Sequence, residues 1–580
     1  MKAFKESAMP VHNADISEIF NEVADLMEIL EENPFRVRAY RNAARTIGDL
    51  SQSVALMVEQ SKDMTELPGI GKDLARKIEE IAKTGTLSQL QDLGDRIPPQ
   101  LRRLMKIQGL GPKRVKALYD KLGITDLEDL KKAGEEGRIK ELKGFGEKIE
   151  KMILEEIGRE KKEARIKLNV AEEVAIGIVG YLKKIEGVKE AIVAGSYRRK
   201  KETVADLDVL ATCKDGARVI DAFVNYENVK KVIAKGETRS TVIFRSGMQV
   251  DLRVVPEVSY GAALHYFTGS KAHNIAIRTL AVKRGLKINE YGVFKGQKRI
   301  AGRTEDEVFA QVELPFVEPE LRENRGEIES AQKGKLPQLI TLEEIRGDLH
   351  AHTKATDGRH ALEQMVEAAR HRGYEYLAIT DHSKRLSMTH GFDAKRLAMR
   401  NEEIDRLDEK LEDFIVLKSI EVDILEDGSL DLANSILKEL DLTVCSVHSK
   451  FNLPKEKQTE RIIRAMDNPY FNIFAHPSGR LINEREPYDV DMERLMEAAK
   501  ERGCVMEINS HPDRLDLSDI HCKLAKDMGV KVVISTDAHS ITDLELMRFG
   551  VWQARRGWLE GEDVLNTRNC DVLKKLIKRG

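Results

Sequence analysis

After residue 345 the chain repeats one pattern seven times: a short β-rich run, then a helical stretch. The runs are GDLHAH, YLAITDH, IVLKSIEVDI, LTVCSVH, FNIFAH, CVMEINS and VKVVISTDAH. Strand–helix repeats of this kind predict a parallel, barrel-like α/β domain. Histidines and acidic residues gather at the C-terminal ends of the runs, and eleven of the 14 histidines lie between His350 and His539. The C-terminal ends of the strands are where α/β barrels build their active sites.

The chain has 580 residues, a length that predicts three to five domains. No run of about 18 apolar residues is present, which excludes a transmembrane helix by sequence. The N-terminal stretch has no apolar h-region, so no secretory signal is expected. Five scattered cysteines without a C-x-x-C pair argue against a disulfide framework or a zinc ribbon and for a reducing cytoplasm. The net charge of −3 hides an asymmetry. Residues 1–100 hold 12 basic and 17 acidic side chains, residues 101–300 hold 42 and 27, and residues 301–580 hold 41 and 54. A basic middle in an acidic chain points to a polyanion partner, although a solvated Lys-rich surface would read the same way.

Residues 1–160 read as helical, with apolar residues at helical spacing from Ile16 to Leu30. Three Gly-punctuated segments recur there: LPGIGKDLARKI (67–78), IQGLGPKRVKAL (107–118) and LKGFGEKIEKMI (142–153). Each is a helix-hairpin-helix pattern. The pairs Gly69/Gly71, Gly109/Gly111 and Gly144/Gly146 let the turn approach a phosphate, and the following helix start offers N–H groups to it. Such contacts position a protein on DNA without reading its sequence.

From about residue 165 the pattern becomes mixed α/β. Gly195-Ser196-Tyr197-Arg198-Arg199 precedes Asp206-Leu207-Asp208, and Asp251 follows on another apolar strand. Residues i and i+2 of a strand share a face, so Asp206 and Asp208 point the same way. Three carboxylates on neighbouring strands can hold two Mg²⁺ ions, which clamp the attacking and leaving oxygens of a phosphoryl transfer. Gly195 and Ser196 at a strand-to-helix turn would offer a hydroxyl and N–H groups to a triphosphate, and Arg199 could neutralise its charge. Residues 319–345 are polar with two prolines and read as a linker.

This segment resembles the nucleotidyltransferase palm of the family X DNA polymerases. Tyr266-Phe267-Thr268-Gly269-Ser270, Asn274, Arg278 and Ile288-Asn289-Glu290-Tyr291 match that family's nucleotide-binding motif and thumb. The resemblance implies that Asp206, Asp208 and Asp251 bind two Mg²⁺ or Mn²⁺ ions, with Asp251 as the base at the primer 3′-hydroxyl. It implies that Gly195, Ser196 and Arg199 hold the triphosphate. Tyr266 and Phe267, within the motif that includes Gly269, would face the sugar; Asn274 would reach the base and Arg278 the template or nascent pair. Ala205 departs from the family's usual Gly before the first Asp. Lys77 occupies the position of the family's deoxyribose-phosphate lyase lysine, while Asp73 stands where those lyases often carry Lys.

In the C-terminal region, His350 and His352 share a strand face, and Asp357, His382, Glu421, His448, His476, Asp537 and His539 follow at or after strand ends. Imidazoles and carboxylates mixed in this way suit Zn²⁺ or Mn²⁺. The region looks like the polymerase-and-histidinol-phosphatase (PHP) domain, a distorted (β/α)7 barrel with up to three ions. By that resemblance His350, His352, Glu421 and Asp537 hold one ion. Glu421 bridges to a second with His448 and His476, and Asp357, His382 and His539 hold the third. His360 and Asp381 are alternatives to Asp357.

A multidomain chain is therefore expected. A helical, lyase-like DNA-binding domain would span 1–90, a second hairpin subdomain 91–160, the palm 161–260, the thumb 261–318, a linker 319–345 and the PHP domain 346–580. The combined resemblance, over roughly 10–580, implies a monomer that fills gaps in primed DNA from deoxynucleoside triphosphates during base-excision repair. The PHP domain would add 3′→5′ exonuclease, 3′-phosphatase and abasic-site cleavage, in the cytoplasm at the nucleoid. The motifs leave three other readings: a template-independent nucleotidyltransferase, a DNA-end scaffold, and a phosphatase of free monoesters such as histidinol phosphate.

Overall fold

The computed structural model describes residues 13–579 apart from 49, 51–53, 98–100, 102–103, 106–109, 143, 159–164 and 386–388. The chain divides into two compact units, Met1–Ala164 and Arg165–Gly580.

The described residues of the first unit are helical and contain no strand. Helices α1 (Asn13–Ile29) and α2 (Pro34–Gly48) pack through Phe20, Leu26, Tyr40 and Ile47, all buried. Two of the Gly hairpins lead into α3 (Lys72–Thr84) and α4 (Pro112–Leu122), whose N-caps are Gly71 and Gly111. The third opens α5 (Gly146–Gly158).

The second unit begins with the palm. Its sheet contains β1 (Ala191–Val193), β2 (Asp206–Thr212), β3 (Val229–Lys235), β4 (Arg239–Phe244) and β5 (Gln249–Val255), in the order β1-β2-β5-β4-β3. The one-turn helix α6 (Gly195–Arg198) follows β1. Strands β2 and β5 run parallel in a register that sets Asp208 opposite Asp251. Helices α7 (Tyr260–Thr268) and α8 (Lys271–Lys283) come next, with a small antiparallel sheet of β6 (Lys287–Asn289), β7 (Gly292–Lys295) and β8 (Lys298–Ala301). Ser270 caps α8 by accepting from the His273 amide at 3.1 Å.

Residues 319–331 of the expected linker are packed into the protein, while most of 332–344 is exposed. The segment carries a 3-10 turn (Pro319–Leu321) and α9 (Glu327–Gln332). Arg322 is fully buried between the rings of Phe309 and Phe316, 5.0 Å from each centroid. Glu327, also fully buried, accepts from the amides of Asn324 and Arg325 and faces His273 Nδ1 at 2.7 Å. Polar composition predicts exposure only while charges lack partners; here they are paired inside.

The seven C-terminal runs form parallel strands. One sheet is β9 (Gly347–Ala351), β10 (Tyr376–Ile379) and β11 (Ile415–Lys418). The other is β12 (Glu421–Asp423), β13 (Val444–Ser446), β14 (Ile473–Phe474), β15 (Val505–Asn509) and β16 (Val532–Ser535). The run IVLKSIEVDI is split at Ser419–Ile420: its first half pairs with β10 and its second with β13. Single bridges, His382 to Glu421 and Ala351 to Ala538, join the two sheets. Strands β10, β12, β13 and β15 are buried at every residue, as parallel strands covered on both faces must be. Helix α10 (Met547–Arg556) packs on β15 and β16. No helix among the described residues is long and apolar enough to cross a membrane.

Candidate functional site

The palm brings its three carboxylates together. Asp206 and Asp208 lie on β2, and Asp251 stands beside Asp208 on β5. Burial, then the charges of Asp206 and Asp251, push the Asp208 carboxyl up to about 6. Burial and Asp251 likewise raise Asp206. Both oxygens of Asp251 are fixed, one by the Thr241 hydroxyl and the other by Gln249 Nε2 at 2.7 Å. Three carboxylates crowded together, two of them raised, are suited to divalent cations, whose charge would favour ionised Asp206 and Asp208. Gly195 has φ 61°, and a Cβ there would lie 2.5 Å from Asp208 Oδ2. The turn can therefore approach the carboxylates only as glycine.

Ser196 follows Gly195 at the start of α6, part-buried. Arg198 and Arg199 are engaged within the protein. Arg198 makes a bidentate pair with Glu305, at 2.9 and 2.6 Å. Arg199 donates from Nε to Glu323 at 2.9 Å and from Nη1 to the Thr268 carbonyl at 2.8 Å. Tyr266 and Phe267 meet edge to face at 5.1 Å, and the Arg253 guanidinium lies 4.5 Å from the Phe267 centroid. Asn274 spends its amide donor on the carbonyls of Tyr266 and Gly269, at 2.7 and 3.1 Å. Arg278 Nε donates to the Asn274 carbonyl at 3.3 Å. The end of α7 and the start of α8 are thus tied together through Asn274.

In the C-terminal domain the ligand candidates converge. Glu421, at the head of β12, turns its two oxygens to different neighbours. Oε2 lies 2.8 Å from His382 Nδ1, 3.5 Å from His350 Nε2 and 3.6 Å from His352 Nε2. Oε1 lies 3.2 Å from His448 Nε2 and 3.0 Å from His476 Nε2. Asp537 Oδ1 lies 3.2 Å from His352 Nε2 and 3.5 Å from His350 Nε2. Asp357 Oδ2 lies 3.1 Å from His382 Nε2 and 3.4 Å from His539 Nε2. Three ligand-competent groups result: His352, Asp357, His382 and His539; His350, His352 and Asp537; and His382, Glu421 and His448. His352 reaches the third-ion set as well as the first, through Nδ1, 3.7 Å from Asp357.

Of the alternatives to Asp357, Asp381 is committed elsewhere. It accepts from the Thr353 amide and from the hydroxyls of Thr353 and Thr356. His360 Nδ1 faces the Ile541 amide.

The buried nitrogens His350 Nε2, His352 Nδ1 and Nε2, and His382 Nδ1 face carboxylate oxygens at 2.8 to 3.7 Å without well-directed hydrogen bonds. Burial opposes charge on His350, yet Asp537, Glu507 and Glu421 raise its pKa well above the ordinary value. Against the same burial, Glu421 and Asp357 raise His382 to about 10. Buried imidazole nitrogens turned toward ionised carboxylates fit divalent cations in place of protons. His476 and Asp537 adopt φ of 29° and 56°, conformations that non-glycine residues hold only when their surroundings enforce them.

Family models match in chain order. They are a helix-hairpin-helix domain over 11–87, a SAM-like helix-hairpin-helix tandem over 101–159, a DNA polymerase beta palm over 165–249, a DNA polymerase beta thumb over 263–323 and a PHP domain over 348–511. A DNA polymerase/3′-5′ exonuclease PolX of Bacillus subtilis is 39% identical over 574 residues, covering 98% of this chain and all of that relative. The chain belongs to the family X DNA polymerases that carry a C-terminal PHP domain. A probable phosphatase of Thermoanaerobacter sp. is 33% identical over 244 residues, 40% of this chain and 94% of the relative. One of Caldanaerobacter subterraneus is 34% identical over 260 residues, 42% of this chain and 94% of the relative.

The PHP match ends before Asp537 and His539, which the fold nonetheless returns to the cluster. In the family's hairpin domains, Gly69 and Gly144 have φ of 79° and 96° and, like Gly71, Gly111 and Gly146, open space where a Cβ would stand. Gly109 lies outside the described residues. Lys77 is part-buried; its ammonium pairs with Asp73 at 2.5 Å and lies 5.1 Å from the Tyr40 centroid.

Two PHP-domain residues escaped the sequence reading. Glu507 on β15 accepts from His350 Nδ1 at 2.7 Å and from the His476 amide at 2.6 Å. Arg514 Nε lies 3.5 Å from Asp537 Oδ2, and its Nη1 is buried without a partner. A signal for Glu507 was present: an acid inside the apolar run CVMEINS must find a partner.

Proposed function

We propose that this chain fills short gaps in DNA during base-excision repair and trims 3′ ends in the same molecule. The observation carrying this reading is the coexistence in one chain of three clustered palm carboxylates and a separate PHP-domain cluster of imidazoles and carboxylates, with the described hairpin glycines exposed. In the palm, Asp206, Asp208 and Asp251 hold two Mg²⁺ or Mn²⁺ ions, which supply charge neutralisation at the triphosphate. Asp251, held at both oxygens by Thr241 and Gln249, receives the proton of the primer 3′-hydroxyl. Gly195, Ser196 and Arg199 hold the triphosphate; Tyr266 and Phe267, beside Gly269, face the sugar, and Asn274 and Arg278 face the nascent pair.

In the PHP domain, His350, His352, Asp357, His382, Glu421, His448, His476, Asp537 and His539 hold up to three Zn²⁺ or Mn²⁺ ions, which supply an activated water and a Lewis acid. The substrates are 3′ phosphoesters: a terminal nucleotide, a 3′-phosphate, and an abasic site. Arg514 adds positive charge beside Asp537, where a phosphoryl group would sit. The match to probable phosphatases over this domain favours one second reading, hydrolysis of free phosphate monoesters. Comparing turnover of histidinol phosphate with that of 3′-phosphorylated DNA separates the two. For lyase chemistry Lys77 is the amine and must first leave Asp73. Borohydride trapping on an incised abasic site should disappear in Lys77→Ala; unchanged trapping removes the lyase role. We place the enzyme in the cytoplasm, at the nucleoid, as a monomer.

The test uses wild type, Asp206→Ala/Asp208→Ala and His350→Ala/His352→Ala on one-nucleotide-gapped DNA with Mn²⁺ and four deoxynucleotides. The first variant should lose only extension and the second only 3′ shortening. Absence of both products in wild type refutes the reading.

A further inference from the structure

The turn that carries Arg199 is seated on the PHP domain. Arg556, in the last turn of α10, is almost fully buried and donates from Nη1 to the Arg199 carbonyl at 2.7 Å. The same nitrogen lies 3.3 Å from Glu323 Oε1, the oxygen that accepts from Arg199 Nε. Arg556 Nη2 donates to Asp519 at 2.6 Å, a carboxylate that Arg325 also reaches at 2.9 Å. One turn earlier on α10, the Trp552 ring receives the Lys200 ammonium 3.7 Å from its centroid. Lys200 holds φ 57°, a conformation that favours glycine, so this contact keeps a lysine where backbone sterics oppose one.

Two features make this more than packing. Glu323 is shared: with Arg556 present, its charge is divided between two guanidinium groups. Without Arg556, the whole carboxylate would bear on Arg199 and compete with an incoming anion for the same side chain. Further, the Arg199 carbonyl is anchored by a side chain from a different domain, which sets where the guanidinium starts from.

We propose that Arg556 is a positioning residue of the nucleotidyl-transfer reaction: from the PHP domain, it sets the Arg199 guanidinium for the triphosphate by sharing Glu323 and by holding the Arg199 main chain. Trp552 assists through Lys200. The inference rests on the reading of Arg199 as a triphosphate ligand.

The test is a double-mutant cycle on single-nucleotide incorporation by the full chain, with Arg199→Lys and Arg556→Gln alone and combined. Thermal midpoint and phosphoester hydrolysis by the PHP site are followed in parallel. Arg556→Gln should raise KM for the deoxynucleotide about tenfold, the effect of one charge-assisted hydrogen bond. kcat should stay within about twofold and hydrolysis unchanged. The double variant should be no worse than Arg199→Lys, because both changes act through one guanidinium. Additive effects, or parallel loss of incorporation and hydrolysis, overturn the proposal. Wild-type KM in Arg199→Lys withdraws the reading of the loop and this proposal with it. Should Arg556→Gln fail to fold, Trp552→Leu takes its place in the cycle: a smaller rise in KM, again non-additive with Arg199→Lys, is expected, and an unchanged KM counts against the proposal.

Discussion

Glu507 holds two PHP-site histidines at once, the ring of His350 and the backbone of His476. A carboxylate behind a ligating imidazole fixes its tautomer and raises its basicity, and losing it costs about 10–100-fold in metal affinity or activity. Glu507→Gln should therefore lower 3′-end hydrolysis by about that factor and leave gap filling untouched, read from both products on one gel. The candidate ligands were legible because each lies at or just after a β-rich run. The choice of Asp357 over Asp381 was not: both acids lie near the cluster, and only the three hydrogen bonds from Thr353 and Thr356 remove Asp381. Arg514 was illegible for another reason. Its loop carries no periodic signal, and only the folded barrel brings it to Asp537.

Helix α10 owes its closeness to the barrel to Gly550. A Cβ there would lie 2.0 Å from Ser510 Oγ and 2.5 Å from Ile534 Cγ2. Gly550→Ala should destabilise the chain by about 1–3 kcal/mol through overpacking, measured as a lower urea midpoint. On the opposite kind of surface, Asp491 caps the helix Met492–Arg502 by accepting from the Arg494 amide at 3.1 Å. Asp491→Ala should cost about 1 kcal/mol with both activities intact. Strand-helix alternation made the seven runs readable. The break at Ser419–Ile420 was not, because both halves of IVLKSIEVDI are equally apolar and only the change of neighbour divides them. The segment 319–331 misled for the converse reason: Arg322 and Glu327 look solvated in sequence, and the charged and polar side chains that meet them inside, Glu305 and His273, lie 17 and 54 residues upstream.

Across the second unit, buried ion pairs tie palm, thumb and PHP domain. Burial opposes ionisation of Glu305, yet Arg198 and Arg322 bring it down to about 2. Burial likewise opposes Glu323, which Arg556 and Arg199 bring down to about 2. Both carboxylates ordinarily titrate near 4.5. Above that pH the folded and unfolded chains are equally ionised and the stabilisation is complete. As pH falls from 4.5 toward 2, the unfolded chain takes up protons that the folded one refuses, and stability is lost. The thermal midpoint should fall through that window. Glu305→Gln should start about 3–5 kcal/mol lower at neutral pH, since it strands the buried Arg322 guanidinium and the part-buried Arg198, and then respond less to acid. A titration in which the variant is as acid-sensitive as wild type would contradict this. The packed connector has a consequence for inheritance. A gene cut after codon 318 would part Glu305 from Arg322 and Arg199 from Glu323, and one cut after 345 would part Glu323 from Arg556. Either fragment, passed on alone, would first have to repair its exposed seam, so a split of this gene should be inherited only together with changes at those residues.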